Sequence, residues 1–149
     1  MALQRNRKDA TMDYNLRLKD TGTIAASAAA QVGGADKILD MGAARFDGRV
    51  IVDITACEVD TGNEKYQIMV QGSTAALFGS GVWNLAALVL GDSSVSLETV
   101  DTAATRHQEI AFCNEVNGVV YRWIRLYTFV AGTIASGGIN YSANLVRET

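Results

Sequence analysis

Apolar and polar positions alternate with a period of two through much of this chain, which predicts strands rather than helices. Residues 49–58 give the cleanest pattern: Val50, Val52, Ile54 and Ala56 oppose Ile51, Asp53, Thr55 and Cys57. Residues 65–71 follow, with Tyr66, Ile68 and Val70 against Lys65, Gln67 and Gln71. The turn Asp60-Thr61-Gly62-Asn63 suggests that this half-exposed strand pairs with its predecessor. Residues 119–131 form the longest apolar-rich run, with Tyr121, Trp123, Arg125, Tyr127 and Phe129 on one face and Val120, Arg122, Ile124, Leu126 and Val130 on the other. Both faces ask for cover, and Arg122 and Arg125 are expected to project to opposite sides of one strand. Asn117-Gly118 and Gly137-Gly138 are hairpin turn pairs, so residues 115–145 read as three consecutive antiparallel strands.

The remaining segments complete an all-β reading. Residues 23–32, rich in alanine, read as extended and close at Gly33-Gly34; residues 37–41 form a short strand ended by Gly42. Residues 73–81 are a connection with one helical turn over 75–78, residues 82–90 a strand, and residues 95–106 a short strand plus loop. Residues 108–116 and 139–146 supply the last strands. A total of about seven to nine strands predicts one β-sandwich or jelly-roll-like domain. We place it over residues 21–149, preceded by an extended polar arm over residues 1–20 that carries five basic and three acidic residues. Such an arm cannot build its own core, and it is expected to order against a partner through Arg5, Arg7, Lys8 and Arg17. Proline is absent, and glycine carries the turns.

Composition narrows the function classes. The 149 residues suffice for one core without disulfides or metals. The net charge of −3 is interspersed beyond residue 20, so no nucleic-acid surface is advertised. The greasy run 82–90 contains Asn84 and falls far short of the roughly 20 residues of a membrane helix. The basic start is followed by Asp9 and Asp13 where a signal peptide needs an apolar core, so cytoplasmic synthesis is expected. Cys57 and Cys113 lack metal-ligand spacing and read as free thiols.

Candidate chemistry is thin. His107 is the sole histidine and no Gly-x-Ser-x-Gly elbow accompanies it, so hydrolysis by a triad is not expected. Glu58, Asp60, Asn63 and Glu64 offer oxygen ligands around a turn, but not at EF-hand spacing, and a solvated hairpin tip explains them better. Gly79-Ser80-Gly81 lacks the lysine of a phosphate loop. Asn140-Tyr141-Ser142 matches a glycosylation acceptor by chance in a chain without an export signal. Trp83, Trp123, Tyr121 and Tyr127 offer the best small-ligand platform, for sugars, although alternating aromatics more often fill a core or a subunit contact. No enzyme activity, cofactor or metal is expected.

With the strands placed, the chain resembles the tailed-bacteriophage capsid cement (head decoration) proteins. The resemblance is carried by Lys37-Ile38-Leu39-Asp40-Met41-Gly42, the strand from Val50 to Ile54, and the return from Gln67 to Gly72. It continues through Tyr121-Arg122-Trp123-Ile124-Arg125-Leu126-Tyr127, with Ala131-Gly132-Thr133 and Ser136-Gly137-Gly138 behind it. It spans roughly residues 21–147. It implies a small jelly-roll-like domain that binds the outside of an assembled capsid as an oligomer and bridges neighbouring major capsid subunits, with no catalytic residues. The expected partners are therefore the major capsid protein and further copies of the chain, as a trimer or dimer, at the virion surface. The expected contact residues are Arg5, Arg7, Lys8, Arg17, Tyr121, Trp123, Arg125 and Tyr127. The alternatives are a carbohydrate-binding β-sandwich module and a small head- or tail-completion protein.

Overall fold

A computed structural model describes residues 14–91 and 106–147. After a single 3-10 turn at Tyr14–Leu16, the described chain runs through fourteen strands. They are β1 (Arg17–Lys19), β2 (Thr23–Ile24), β3 (Ala28–Ala29), β4 (Gln31–Val32), β5 (Ala35–Asp36), β6 (Leu39–Asp40) and β7 (Asp47–Cys57), then β8 (Lys65–Ser73), β9 (Val82–Gly91), β10 (Arg106–Cys113), β11 (Glu115–Val116), β12 (Val119–Val120), β13 (Trp123–Ala131) and β14 (Ile139–Arg147). Two five-stranded antiparallel sheets hold the long strands. The first has the order β1-β14-β7-β10, with β2 also on β14; the second has the order β3-β13-β8-β9, with β6 also on β13. The pairs β4-β5 and β11-β12 are separate small hairpins.

The sheets form a β-sandwich because their period-two apolar rows meet. Val50, Val52 and Ile54 of β7 and Tyr141, Ala143 and Leu145 of β14 face Tyr66, Ile68 and Val70 of β8 and Ile124 and Leu126 of β13 in one core, each 1 % exposed or less. Full burial of an aliphatic side chain contributes roughly 1.5–3 kcal/mol, so these rows dominate the folding free energy. A buried polar link joins the layers: the hydroxyls of Thr128 and Tyr141 lie 2.6 Å apart in the interior.

Four expectations change. First, β7 and β8 do not pair; β7 belongs to the first sheet and β8 to the second, so residues 58–64 cross between layers. Second, β13 and β14 do not pair either, and Gly137-Gly138 ends a second crossover rather than a hairpin. Third, the run 119–131 is two elements: β12 closes on β11 through Asn117-Gly118, both at positive φ, and only β13 enters a large sheet. Fourth, the domain begins before residue 21. The segment 17–19 pairs with β14 through Arg17↔Asn144 and Lys19↔Ala143, and Leu18 is fully buried. One apolar residue among charges carries little periodicity, yet it fills a core position.

Lys19 is buried with it. Its ammonium donates to the carbonyl oxygens of Asp20, Gly22 and Tyr141 at 2.8–2.9 Å. Burial lowers its pKa to about 8, with Asp20 opposing. A further local correction concerns Cys57. Thr55 is skipped in the β7–β14 register, a bulge that turns Cys57 into the core instead of leaving it opposite Val50 and Val52. Neither Cys57 nor Cys113 is in a disulfide.

The two crossovers meet at one corner of the sandwich. The Glu58 carboxylate accepts the N–H groups of Ala135, Ser136 (2.8 Å) and Gly138 (2.9 Å). Glu64 accepts the Thr61 N–H at 2.7 Å, and the Asn63 side-chain oxygen accepts the Thr133 N–H at 3.0 Å. Glu58 and Glu64 are 3 % and 0 % exposed, so these acids build a buried corner and not a solvated hairpin tip. Among the described residues no group of three or more His, Cys, Asp or Glu side chains is placed to hold a metal ion.

Candidate interaction surface

The outward faces of the two sheets differ in chemistry. On the first sheet the outward row is charged and internally paired. His107 Nδ1 lies 3.0 Å from Asp53 Oδ1, its Nε2 lies 3.4 Å from Glu109, and Glu109 takes a 2.7 Å bond from Arg49. Asp53 foremost, with Glu109, raises the His107 pKa above its ordinary value against a smaller opposing effect of burial. The residue thus sits in a surface ion cluster.

On the second sheet, direct cross-strand pairs place Trp123, Arg125, Tyr127 and Phe129 of β13 beside Ser73, Gln71, Met69 and Gln67 of β8. The next positions outward on β9 are Val82, Asn84, Ala87 and Val89. The resulting face carries an apolar field formed by Tyr127, Met69, Ala87, Phe129 and Val89, with Val89 63 % exposed. A polar row crosses its end: Arg125 Nε donates to Gln71 Oε1 at 2.9 Å, and Gln71 Nε2 donates to Asn84 Oδ1 at 2.9 Å.

The connection 74–81 folds onto this end. Ser73 Oγ accepts the Ala75 N–H and donates to the Ser80 carbonyl, which pins the loop at its neck. Phe78, at φ +56°, is buried under the Arg125 guanidinium 4.3 Å from its ring, while Leu77 at the tip is 87 % exposed. The expected helical turn at 75–78 is a β-turn, closed by the Phe78 N–H on the Ala75 carbonyl. Trp83, half exposed, lines a shallow hollow of about 400 Å³ with Gln71, Val82 and Asn84.

The structure brings together three of the eight sequence-derived contact residues: Trp123, Arg125 and Tyr127. Tyr121 lies apart. It precedes β13 and covers Gly72 on the side that carries Leu85, which packs against the core. Arg17 is spent within the chain on Asp20 at 3.2 Å. Arg5, Arg7 and Lys8 lie outside the described residues. Arg122 also falls outside β13, so it does not oppose Arg125 across a strand; it grips Asp40 with two 2.7 Å bonds at the surface and stacks over Trp123. That grip, with the Gly42 N–H, holds the Asp40 carboxyl down at about 2.

Phe129 and Val89 enlarge the face beyond the expected residues, and Leu77 stands exposed on the loop whose Phe78 lies under Arg125. A signal for the β9 part existed in the run 82–90, which is apolar at both parities. The acceptor triplet Asn140-Tyr141-Ser142 is structural: Asn140 accepts the Gly22 N–H at 3.0 Å and Tyr141 is fully buried. Against protein-family models and curated proteins, the chain finds no match.

Proposed function

We propose that this protein is a structural virion component that binds the outer surface of an assembled phage capsid and cements neighbouring major capsid subunits. One observation carries the reading: the outward face of the second sheet presents Phe129, Ala87 and Val89 exposed with Tyr127 and Met69 half-buried among them, beside an Arg125 already oriented by Gln71 and Phe78. Aromatic residues and arginine are the side chains enriched at protein interfaces, and pre-oriented groups lose less entropy on docking. The charged, self-paired face of the first sheet suits solvent. The test is co-sedimentation of the purified protein with shells of the cognate major capsid protein, against unassembled subunits. Binding to shells, abolished by Phe129→Lys, supports the reading; failure to bind shells, or equal binding to free subunits, overturns it.

The hollow beside Trp83 favours a second reading, a carbohydrate-binding module, because an exposed indole next to two amides is suited to a sugar ring. Glycan-array binding lost in Trp83→Ala would support it.

A further inference from the structure

Arg125 stands at the end of the apolar field, and the described residues supply no acid for it. Arg17, Arg45, Arg49 and Arg122 each pair with a carboxylate, Asp20, Asp47, Glu109 and Asp40 in turn. Among the described residues Arg125 pairs with none. Its guanidinium lies 4.3 Å from the Phe78 ring and 5.4 Å from the Tyr127 ring, and its Nε is bonded to a neutral amide oxygen of Gln71. The acid that the register brings to this face, Asp40 opposite Trp123, is already gripped by two nitrogens of Arg122.

The neighbours of Arg125 fix what this row accepts. A guanidinium only donates, so Gln71 turns its oxygen to Arg125 and its NH2 to the next strand. Asn84 must then present its oxygen to Gln71 Nε2, which leaves its own NH2 as the last group of the row. Gln71, 9 % exposed, is locked in this order. The row therefore ends in donors on both sides: the two terminal guanidinium nitrogens of Arg125 and the amide NH2 of Asn84. It calls for acceptors, and at its charged end for an anion.

We propose that Arg125 is the receptor for a carboxylate of the major capsid protein, an Asp or Glu side chain that lies next to an apolar residue on the outer surface of the subunit. The inference rests on the capsid reading and deepens it. Docking on the Tyr127–Phe129 field covers Arg125 as well, and a guanidinium taken from water without an anion opposes binding. The partner must bring the missing charge. A planar carboxylate fits the fork of the two terminal nitrogens, since Nε is already used by Gln71. The rings of Phe78 and Tyr127 hold the guanidinium in place beforehand, so little side-chain freedom is left to lose. The apolar field beside the row favours a protein over an acidic sugar, which has no apolar side chain to cover it.

Carbodiimide coupling on assembled shells tests it, with the full chain at saturating concentration. Arg125→Lys places an amine at the receptor position, and a zero-length cross-link forms there only with a carboxylate in contact. The expected product is an amide between position 125 and an Asp or Glu of the major capsid protein, located by peptide mass spectrometry. In parallel, Arg125→Met, which keeps an apolar stem over Phe78, is expected to bind shells about ten- to hundred-fold more weakly and with a flatter dependence on salt. A cross-link from position 125 to a second copy of this chain, or none while shells are bound, overturns the proposal. So does Arg125→Met binding shells as the wild type does, or a glucuronate-bearing glycan that competes with shells for the wild type but not for Arg125→Met. Should Arg125→Met not fold, the cross-link of Arg125→Lys decides. The two readings are scored apart: shells bound with no capsid carboxylate at position 125 sink only the receptor, whereas a wild type that ignores shells sinks the capsid role and the receptor with it.

Discussion

Glu58 and Gly138 bond each other twice: the Gly138 N–H donates to the Glu58 carboxylate at 2.9 Å, and the Glu58 N–H donates to the Gly138 carbonyl at 3.0 Å. Two segments 80 residues apart are thereby locked where the chain passes between sheets. Burial is the largest influence on the Glu58 carboxyl and pushes its pKa up. The N–H groups of Gly138, Ser136 and Ala135 together outweigh it and hold the group below the ordinary glutamate value of 4.5.

Glu58→Gln is therefore expected to cost about 2–4 kcal/mol at pH 7, because an amide cannot accept at both ends and turns an NH2 toward backbone donors. The folded-state pKa is depressed, so the carboxylate's contribution is present above pH 4.5 and lost as pH falls below it toward the folded value. Urea midpoints at pH 7 and pH 3 should show the variant losing less on acidification than the wild type. Equal losses would mean that Glu58 is not responsible for the acid sensitivity.

Gly132 meets the same corner from the other strand. It sits at φ +89°, and an added Cβ would run into the Asn63 carbonyl oxygen, which is backbone and cannot swing away. Gly132→Ala is expected to destabilise by about 2–4 kcal/mol, since it combines left-handed strain with a clash. Gly118→Ala, at φ +78° with open space around it, should cost about 1 kcal/mol. Thermal melts of the two variants separate the clash from the strain.

Thr128 and Tyr141 form a buried polar link between layers. Thr128→Val and Tyr141→Phe are each expected to cost about 1–2 kcal/mol, and the double variant less than their sum, with a coupling of about 1 kcal/mol. An additive double variant would show that the hydroxyls do not serve each other.

The two arginines near the interaction face should differ. Arg122→Ala removes an ion pair in solvent and is expected to leave the melting temperature nearly unchanged. Arg125→Ala removes the cover of Phe78 and the bond to Gln71, and should cost about 1 kcal/mol, or about 3 °C in a domain of this size, while also weakening shell binding. Identical behaviour of both variants in melting and binding assays would remove Arg125 from the site.

Strand positions were legible where alternation is local, over 49–58, 65–71, 82–90 and 139–146, because the period of two records which side chains share a face. Pairing was not. Alternation tells nothing about which sheet a strand joins, and Gly137-Gly138 has the composition of a hairpin turn although it ends a crossover fastened by Glu58. The acidic residues of that corner resembled a solvated loop because a buried carboxylate satisfied by backbone N–H groups leaves no trace in spacing. Trp123, Arg125 and Tyr127 were correctly grouped on one face, since a regular strand preserves parity. Tyr121 was misplaced because regularity begins only at Trp123.

The position of β14 between β1 and β7 has a consequence for the order in which the molecule can form. The centre of the first sheet is translated after both of its neighbours, so β1 and β7 must wait for it with their inner edges bare. Lys19 meets its Tyr141 acceptor only across 122 residues of chain. Such long-range closure slows folding and defers it until β14 has been made. A chain that stops before Ile139 would retain every strand of the second sheet, yet it could not assemble the first.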